Sequence, residues 1–414
     1  MKSLSAEPDP ILPEDLPQGF RFASAACGLK KSKLSDLALI TSDTDAVAAA
    51  VFTTNRVKAA PVLVSREHLR ASGGGIRAII ANSGNANCAT GAAGLAASRA
   101  TTAGAARELG CKPDQVLVCS TGVIGLPLDT RKILSAVPGL VADQTRSPDA
   151  YSGAARAIMT TDTRPKWSAA RCRVGGRDVR VLGCAKGSGM IHPQMATMLA
   201  FVVTDAALTR TLGQRALAEV TGRTFNSVTV DGDTSTNDTL ILLANGAASA
   251  PLLRTAGVDF SRFLKALDSV CRDLALAIVA DGEGASRVAQ IDVFGAPSDA
   301  IAAQVARTIA GSPLVKTAIA GADPNWGRIL AAAGRAPLSK GADFDTARAE
   351  IRIGGVAVCR RGQGYPFDED AVHKKMLEQH VPIAVYLKSG RGRATVWTCD
   401  FTAEYIRINT AYRT

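Results

Sequence analysis

Short apolar runs that stop abruptly in turns of Gly, Asn, Ser and Thr constrain this chain more than any other feature. Residues 78–82 form one such run, closed by Asn82-Ser83-Gly84-Asn85, and the Ala- and Gly-rich residues 88–109 that follow have helical character. Residues 115–119 form a second, closed by Ser120-Thr121-Gly122. Each reads as strand, glycine-bearing turn, then helix or loop. Strand-like patterns recur at 178–184, 198–205, 239–244, 383–388 and 394–398. A long amphipathic helix is expected near 261–280 and a shorter one near 368–380. Only 5% of the residues are aromatic and 38 are glycine, so the layers must pack closely on small side chains. The expectation is a mixed α/β fold. With 414 residues it amounts to two or three domains, or one large interlocked pair.

The formal charge of +11 raises the question of an anionic partner. Most of the excess precedes residue 197, and its densest stretch, Arg164 to Arg180, holds a single aromatic, Trp167. A nucleic-acid surface would need a basic stripe interleaved with aromatics, or a recognisable module. Neither is present, so this stretch is read as a turn and strand edge with a solvated basic face that attracts small carboxylates. No nucleic-acid or membrane partner is expected. The nine cysteines form no CxxC pair and have no zinc-like spacing to the four histidines, which fits a reducing compartment. The first sixteen residues, rich in Pro and acidic side chains, resemble neither a signal nor a transit peptide and are expected to form a loose arm. A cytoplasmic protein is the expectation.

Familiar catalytic motifs fail. The chain has no GxxxxGK[ST], HExxH or GxSxG. Asp231-Gly232-Asp233-Thr234-Ser235-Thr236-Asn237-Asp238 begins like a calcium loop, but Thr236 replaces the turn glycine and Leu242 the bidentate Glu. No metal site is expected.

What remains is the loop from Ala185 to Thr197, rich in Gly and Pro, which delivers Ala196-Thr197 to the start of an apolar strand. A threonine so placed can attack the carbonyl before it if the loop holds that bond exposed. Cleavage would free an α-amine with an unperturbed pKa near ~8, able to act as base toward its own hydroxyl. Taken locally, the same pattern describes any β-branched residue at a strand start.

The wider pattern is specific. The segment KGSGMIHPQMATMLAFVVTDA resembles the processing site of the ornithine acetyltransferase family. So do residues 81–91, 120–125, 159–163, 231–239, 281–285, 321–329 and 408–414, in consistent order over nearly the whole chain. The resemblance implies a self-processing, layered α/β sandwich of the N-terminal-nucleophile type. It implies a cut between Ala196 and Thr197, giving an alpha chain of residues 1–196 and a beta chain of residues 197–414 that begins with the nucleophile. Thr121 and Gly122 become the oxyanion pair, through a hydroxyl and a backbone N–H. Substrate contacts fall on Thr160, Lys186, Thr197, Glu283, Asn409 and Thr414. The implied reaction carries acetyl from N-acetylornithine to glutamate in arginine biosynthesis through a threonine ester, without a metal or redox cofactor. Acetyl-CoA is left open as a further donor, and two copies of each chain are expected to assemble.

Each residue has an ordinary alternative. Lys186 could be a surface lysine, Glu283 a helix-ending acid, Ser120-Thr121-Gly122 a capping turn, and Asn409 and Thr414 part of a frayed tail. His192 beside Pro193 tempts as a base, but the free amine makes it unnecessary. Two other functions share the pattern: an autoproteolytic aminopeptidase or amidase, in which water takes the acyl group, and a catalytically dead scaffold.

Overall fold

The computed structural model describes residues 7–192, 198–338 and 344–411. The expected Ala196, Thr197 and Thr414 therefore lie outside the described residues.

The chain forms two mixed sheets clothed by helices. It opens with β1 (Phe20–Ala25), β2 (Leu37–Phe52), α1 (Ala60–Ala71), β3 (Gly75–Asn82), α2 (Gly91–Leu109) and β4 (Val116–Ser120). Next come α3 (Thr130–Ala142), α4 (Pro148–Ala157), β5 (Lys166–Val174), β6 (Arg177–Lys186) and β7 (Leu199–Thr204). The middle holds α5 (Arg210–Arg223), β8 (Val228–Thr229), β9 (Thr239–Ala244), α6 (Val258–Ala280) and β10 (Val288–Ala296). After these follow α7 (Asp299–Ala310), α8 (Pro313–Ala320), α9 (Trp326–Gly334), β11 (Glu350–Ile353), β12 (Val356–Arg360) and β13 (Gln363–Gly364). The chain ends with α10 (Glu369–Met376), β14 (His380–Tyr386), β15 (Gly392–Cys399) and α11 (Ala403–Ala411).

The first sheet runs β4-β3-β2-β9-β7-β6-β5, with β1 paired to β2. Its central strands β7 and β9 are buried at every position, because helices cover both faces. Such strands read as continuous apolar runs, which is why 198–205 and 239–244 were legible. On one face α5 and α6 bury Leu217, Phe263, Leu267 and Leu274 against β6, β7 and β9. Helix α6 approaches closely at Gly183, where a Cβ would lie 2.8 Å from Val270. On the other face α4 presses Tyr151 edge-on to Phe22 of β1. A break in the register with β3 between Thr41 and Ala46 interrupts β2, whose first half also pairs with β1 and whose second half pairs with β9. A bulge of this kind bends a strand and lets one sheet serve two directions.

The second sheet runs β13-β12-β11-β14-β10-β15-β8 and packs α7 to α10 over an apolar core around Val305, Ile309, Val372 and Ile383. Strand β8 ties this sheet to the first: it pairs with β15 and leads into the loop before β9. The boundary between residues 196 and 197 does not divide two folding units. Strand β7 pairs with β6, and β9 with β2, so the segments on either side interlock in one sheet.

Two expectations need correction. The amino-terminal segment is not loose from Asp9 onward: Trp167 donates its indole N–H to the Asp9 carbonyl, and Leu16 is buried. Arg146 donates to the carbonyls of Leu16 and Pro17. The basic stretch from Arg164 to Arg180 is a hairpin of β5 and β6 with β5 at the sheet edge, but its Lys166 turns inward and is buried.

Candidate active site

The turns that close β3 and β4 meet. Ser120 stands opposite Asn82 in the parallel pair, and Asn85 bridges to Thr121 one residue on. Gly122 adopts φ +129° there, and a Cβ on it would sit 2.4 Å from the Gly84 carbonyl carbon. Only glycine allows the two turns to touch, so Thr121-Gly122 is more than a helix cap. At the end of β6, Lys186 is 3% exposed. Its ammonium donates to the Thr160 hydroxyl at 2.7 Å and the Thr121 hydroxyl at 3.3 Å. Because Lys186 is a donor only, the Thr121 oxygen accepts, and its own proton is left for another acceptor.

Glu283, in the turn after α6, accepts a hydrogen bond at 2.8 Å from the side-chain amide of Asn409 of α11. Its own backbone N–H donates to the Ser188 carbonyl. Gly189 lies under the carboxylate so closely that a Cβ would be 2.6 Å from it. Thr121, Gly122, Thr160, Lys186, Glu283 and Asn409 line a single cleft. These residues come from five separated segments of chain. Helix α11 (Ala403–Ala411) supplies one wall, through Tyr405 and Asn409.

A buried ionic cluster stands behind Lys186. Lys166 pairs with Asp162 at 2.7 Å and Asp281 at 2.6 Å, all three inaccessible or nearly so. Asp162 also accepts N–H bonds from Gly187 and Thr160, and lies 4.0 Å from the Lys186 ammonium. Burial would raise the Asp162 carboxyl, but the charges of Lys166 and Lys186 outweigh it and hold the group below the usual carboxylate range. Burial pulls the Lys186 ammonium below the ordinary lysine value, against the opposing pull of Asp162. Asp162, Lys166 and Asp281 escaped residue-level reading although they flank named residues. Their partners lie up to 118 positions away, and no local pattern reports that.

The loop resembling a calcium site uses its carboxylates on backbone amides instead. Asp231 accepts from Met190, Ile191 and Asp233, and Asp238 from Met198 at 2.9 Å. Among the described residues, no group of three His, Cys, Asp or Glu side chains is placed to hold a metal. Burial pushes Asp231 up to about 6, and pushes Asp238 well above its ordinary value. His192 turns its ring to the Thr229 hydroxyl at 3.3 Å and is not among the cleft-lining residues; burial lowers it. Among the described residues, no helix is long and apolar enough to cross a membrane.

Residues 21–414 match the model of the ArgJ family. The chain is 47% identical over 412 residues to the arginine biosynthesis bifunctional protein ArgJ of Thermosynechococcus vestitus, covering 96% of this chain and 97% of that one. It is 45% identical over 404 residues to the protein of that name from Caldanaerobacter subterraneus, covering 97% and 98%. A crystal structure of ornithine acetyltransferase from Mycobacterium tuberculosis, complexed with ornithine, matches at 36% identity with a TM-score of 0.37, over 44% of this chain and 94% of that chain.

Proposed function

The chain belongs to the ArgJ family, and from that premise we propose that it is an acetyltransferase of arginine biosynthesis that carries acetyl from N-acetylornithine to glutamate on the hydroxyl of Thr197. In this reading the protein first cuts itself. The Thr197 hydroxyl attacks the Ala196 carbonyl, the peptide nitrogen leaves as the Thr197 α-amine, and water hydrolyses the ester to release the Ala196 carboxylate. The free amine then takes the proton of its own hydroxyl as that oxygen attacks the acetyl carbon. Collapse of the tetrahedral intermediate expels ornithine, whose α-amine receives the proton. The amine of glutamate attacks the ester in turn and restores the hydroxyl.

The observation that supports this reading most is the Lys186–Thr121–Thr160 arrangement within the cleft. Lys186 donates to Thr121 and leaves that hydroxyl's proton for a developing oxyanion beside the Gly122 N–H, where a fixed donor is worth most. Glu283, steadied by Asn409, is the acceptor for a substrate ammonium. Thr414 completes the substrate contacts in this proposal. Acetyl-CoA would fill the same ester more slowly. Two copies of each fragment form the working assembly.

Intact mass measurement before and after brief exposure to N-acetylornithine tests the scheme. Expected are fragments 1–196 and 197–414, with one acetyl group gained on the second. Thr197→Ala should remain one chain and gain nothing. A Thr197→Ala protein that still splits at that bond overturns the self-cleavage step. Acetate release unaffected by glutamate would assign the site to hydrolysis.

A further inference from the structure

Asn237 and Asp238 lie between β8 and β9, are 6% and 0% exposed, and have no role in the scheme above. Their partners are unusual. The Asn237 amide donates to the carbonyls of Ala86 at 2.7 Å and Ser120 at 2.8 Å, 151 and 117 positions away. Those carbonyls belong to the two turns that meet at Gly122. The Thr236 hydroxyl donates to the Asn237 side-chain oxygen at 2.6 Å, which orients the amide with its N–H groups toward the turns. The next residue reaches the other way. The Asp238 carboxyl accepts the Met198 N–H at 2.9 Å, and the Met198 carbonyl accepts the Thr239 N–H at 3.0 Å. Met198 is thus fastened at both its backbone groups just before β7 pairs with β9.

We propose that Asn237 and Asp238 are positioning residues that hold the turn carrying Thr121 and Gly122 in register with the amino-terminal end of β7. This rests on the reading of Thr197 as nucleophile. Adjacent α-carbons are held 3.80 Å apart by the planar peptide, so two adjacent side chains bonded to different segments form a stiff spacer. A need for one follows from the chemistry. Cleavage before Thr197 would make Met198 the second residue of a new chain end, and chain ends fray unless tied. A nucleophile on such an end must still meet donors carried by the other fragment, and a misplacement of 1 Å costs about 10²-fold in rate. Asp238 supplies the tie and Asn237 the fixed reference. An ordinary buried amide would satisfy itself within one local segment, as Asn87 does with Gly94 and Ser98.

Single-turnover acetylation of mature protein by N-acetylornithine, followed by mass on the 197–414 fragment, is the test. Asn237→Ala and Asp238→Ala should each slow acetylation by about 10²-fold with the half-saturating concentration unchanged. Asp238→Asn keeps an oxygen for the Met198 N–H and should recover most of the rate. Ser65→Ala removes two buried bonds from α1 to Val118 of β4, the strand that leads into Thr121, and serves as the stability control. It should lower the melting temperature without slowing acetylation. A variant that matures slowly is scored by its rate of self-cleavage, where Asp238→Asn should again exceed Asp238→Ala. Wild-type rates in Asn237→Ala, no advantage of Asn over Ala at 238, or equal slowing in Ser65→Ala would overturn the inference. Wild-type protein that takes up no acetyl would instead overturn the nucleophile assignment, leaving the two failures distinct.

Discussion

The two walls of the cleft are built on different physics. On the wall formed by β4, β6 and the turn after α4, a buried lysine, Lys166, meets two carboxylates, one of which accepts the Gly187 N–H next to Lys186. On the wall formed by the tail, the buried lysine is Lys316 of α8. It meets the Thr398 hydroxyl at 2.8 Å, the Cys399 carbonyl and the ring of Phe401 at 4.4 Å. Burial lowers the Lys316 ammonium. Phe401 stacks on Tyr405, Thr402 bonds the Gly284 carbonyl, and Asn409 reaches Glu283, yet α11 buries no side chain of its own. One wall is therefore over-determined by charge and the other held by a few contacts. Reactive groups need the first kind of support, because their geometry sets the rate. A segment that completes a substrate site can use the second.

Breaking the ionic wall should have the largest effect. Lys166→Met leaves Asp162 and Asp281 buried without their cation and should cost about 3–5 kcal/mol of stability, measured by denaturant titration. Adding Asp162→Asn and Asp281→Asn to it should recover part of that loss. A single variant as stable as the parent would show that the cluster does not hold this wall.

Next in size is the hydroxyl proposed as the oxyanion donor. Thr121→Val keeps the branched shape and deletes the hydroxyl, so in mature protein kcat should fall by about 10²–10³, roughly 3–4 kcal/mol, with KM little changed. A near-normal kcat would return Ser120-Thr121-Gly122 to an ordinary turn.

A smaller, pH-dependent effect is expected where the two walls face each other. The Asp231 carboxyl stands at about 6 in the folded protein, above its unfolded value near ~3.9. Its contribution to stability is therefore full below pH ~3.9 and lost as pH rises through about 6. Asp231→Asn should flatten that part of the melting-temperature profile, a change of about 3 kcal/mol at most. Asp162, shifted the other way, contributes above pH ~3.9 and loses its contribution only in stronger acid, so the windows separate.

The tail wall should yield the least. Asn409→Ala removes the bond to Glu283 and should raise KM about tenfold, near 1.4 kcal/mol, with kcat almost intact. A fall in kcat as steep as that of Thr121→Val would erase the distinction between the walls.

Much of the fold was legible because it follows from short-range pattern. The runs at 178–184, 198–205 and 239–244 became β6, β7 and β9, and α6 extends the expected 261–280 helix to Val258–Ala280. The sixteen residues of β2 gave no such signal, because its two halves serve different neighbours and its exposed stretch, Asp43–Asp45, interrupts any period. The helical tail was missed because its residues form no apolar stripe; partners on Gly284 and Glu283 hold it.

The sequence by itself determined the α/β class, the family, and through that resemblance the names of Thr121, Gly122, Thr160, Lys186, Glu283 and Asn409. Tertiary structure alone decided that these six line one cleft, that Lys166 turns inward among carboxylates, and that Asn237 and Asp238 join the two turns to the start of β7. The reason lies in range. Apolar periodicity and turn chemistry act within a few residues, whereas a buried amide or carboxylate acquires its meaning from partners a hundred positions away. Its worth depends on whether those partners arrive, and only the folded chain brings them.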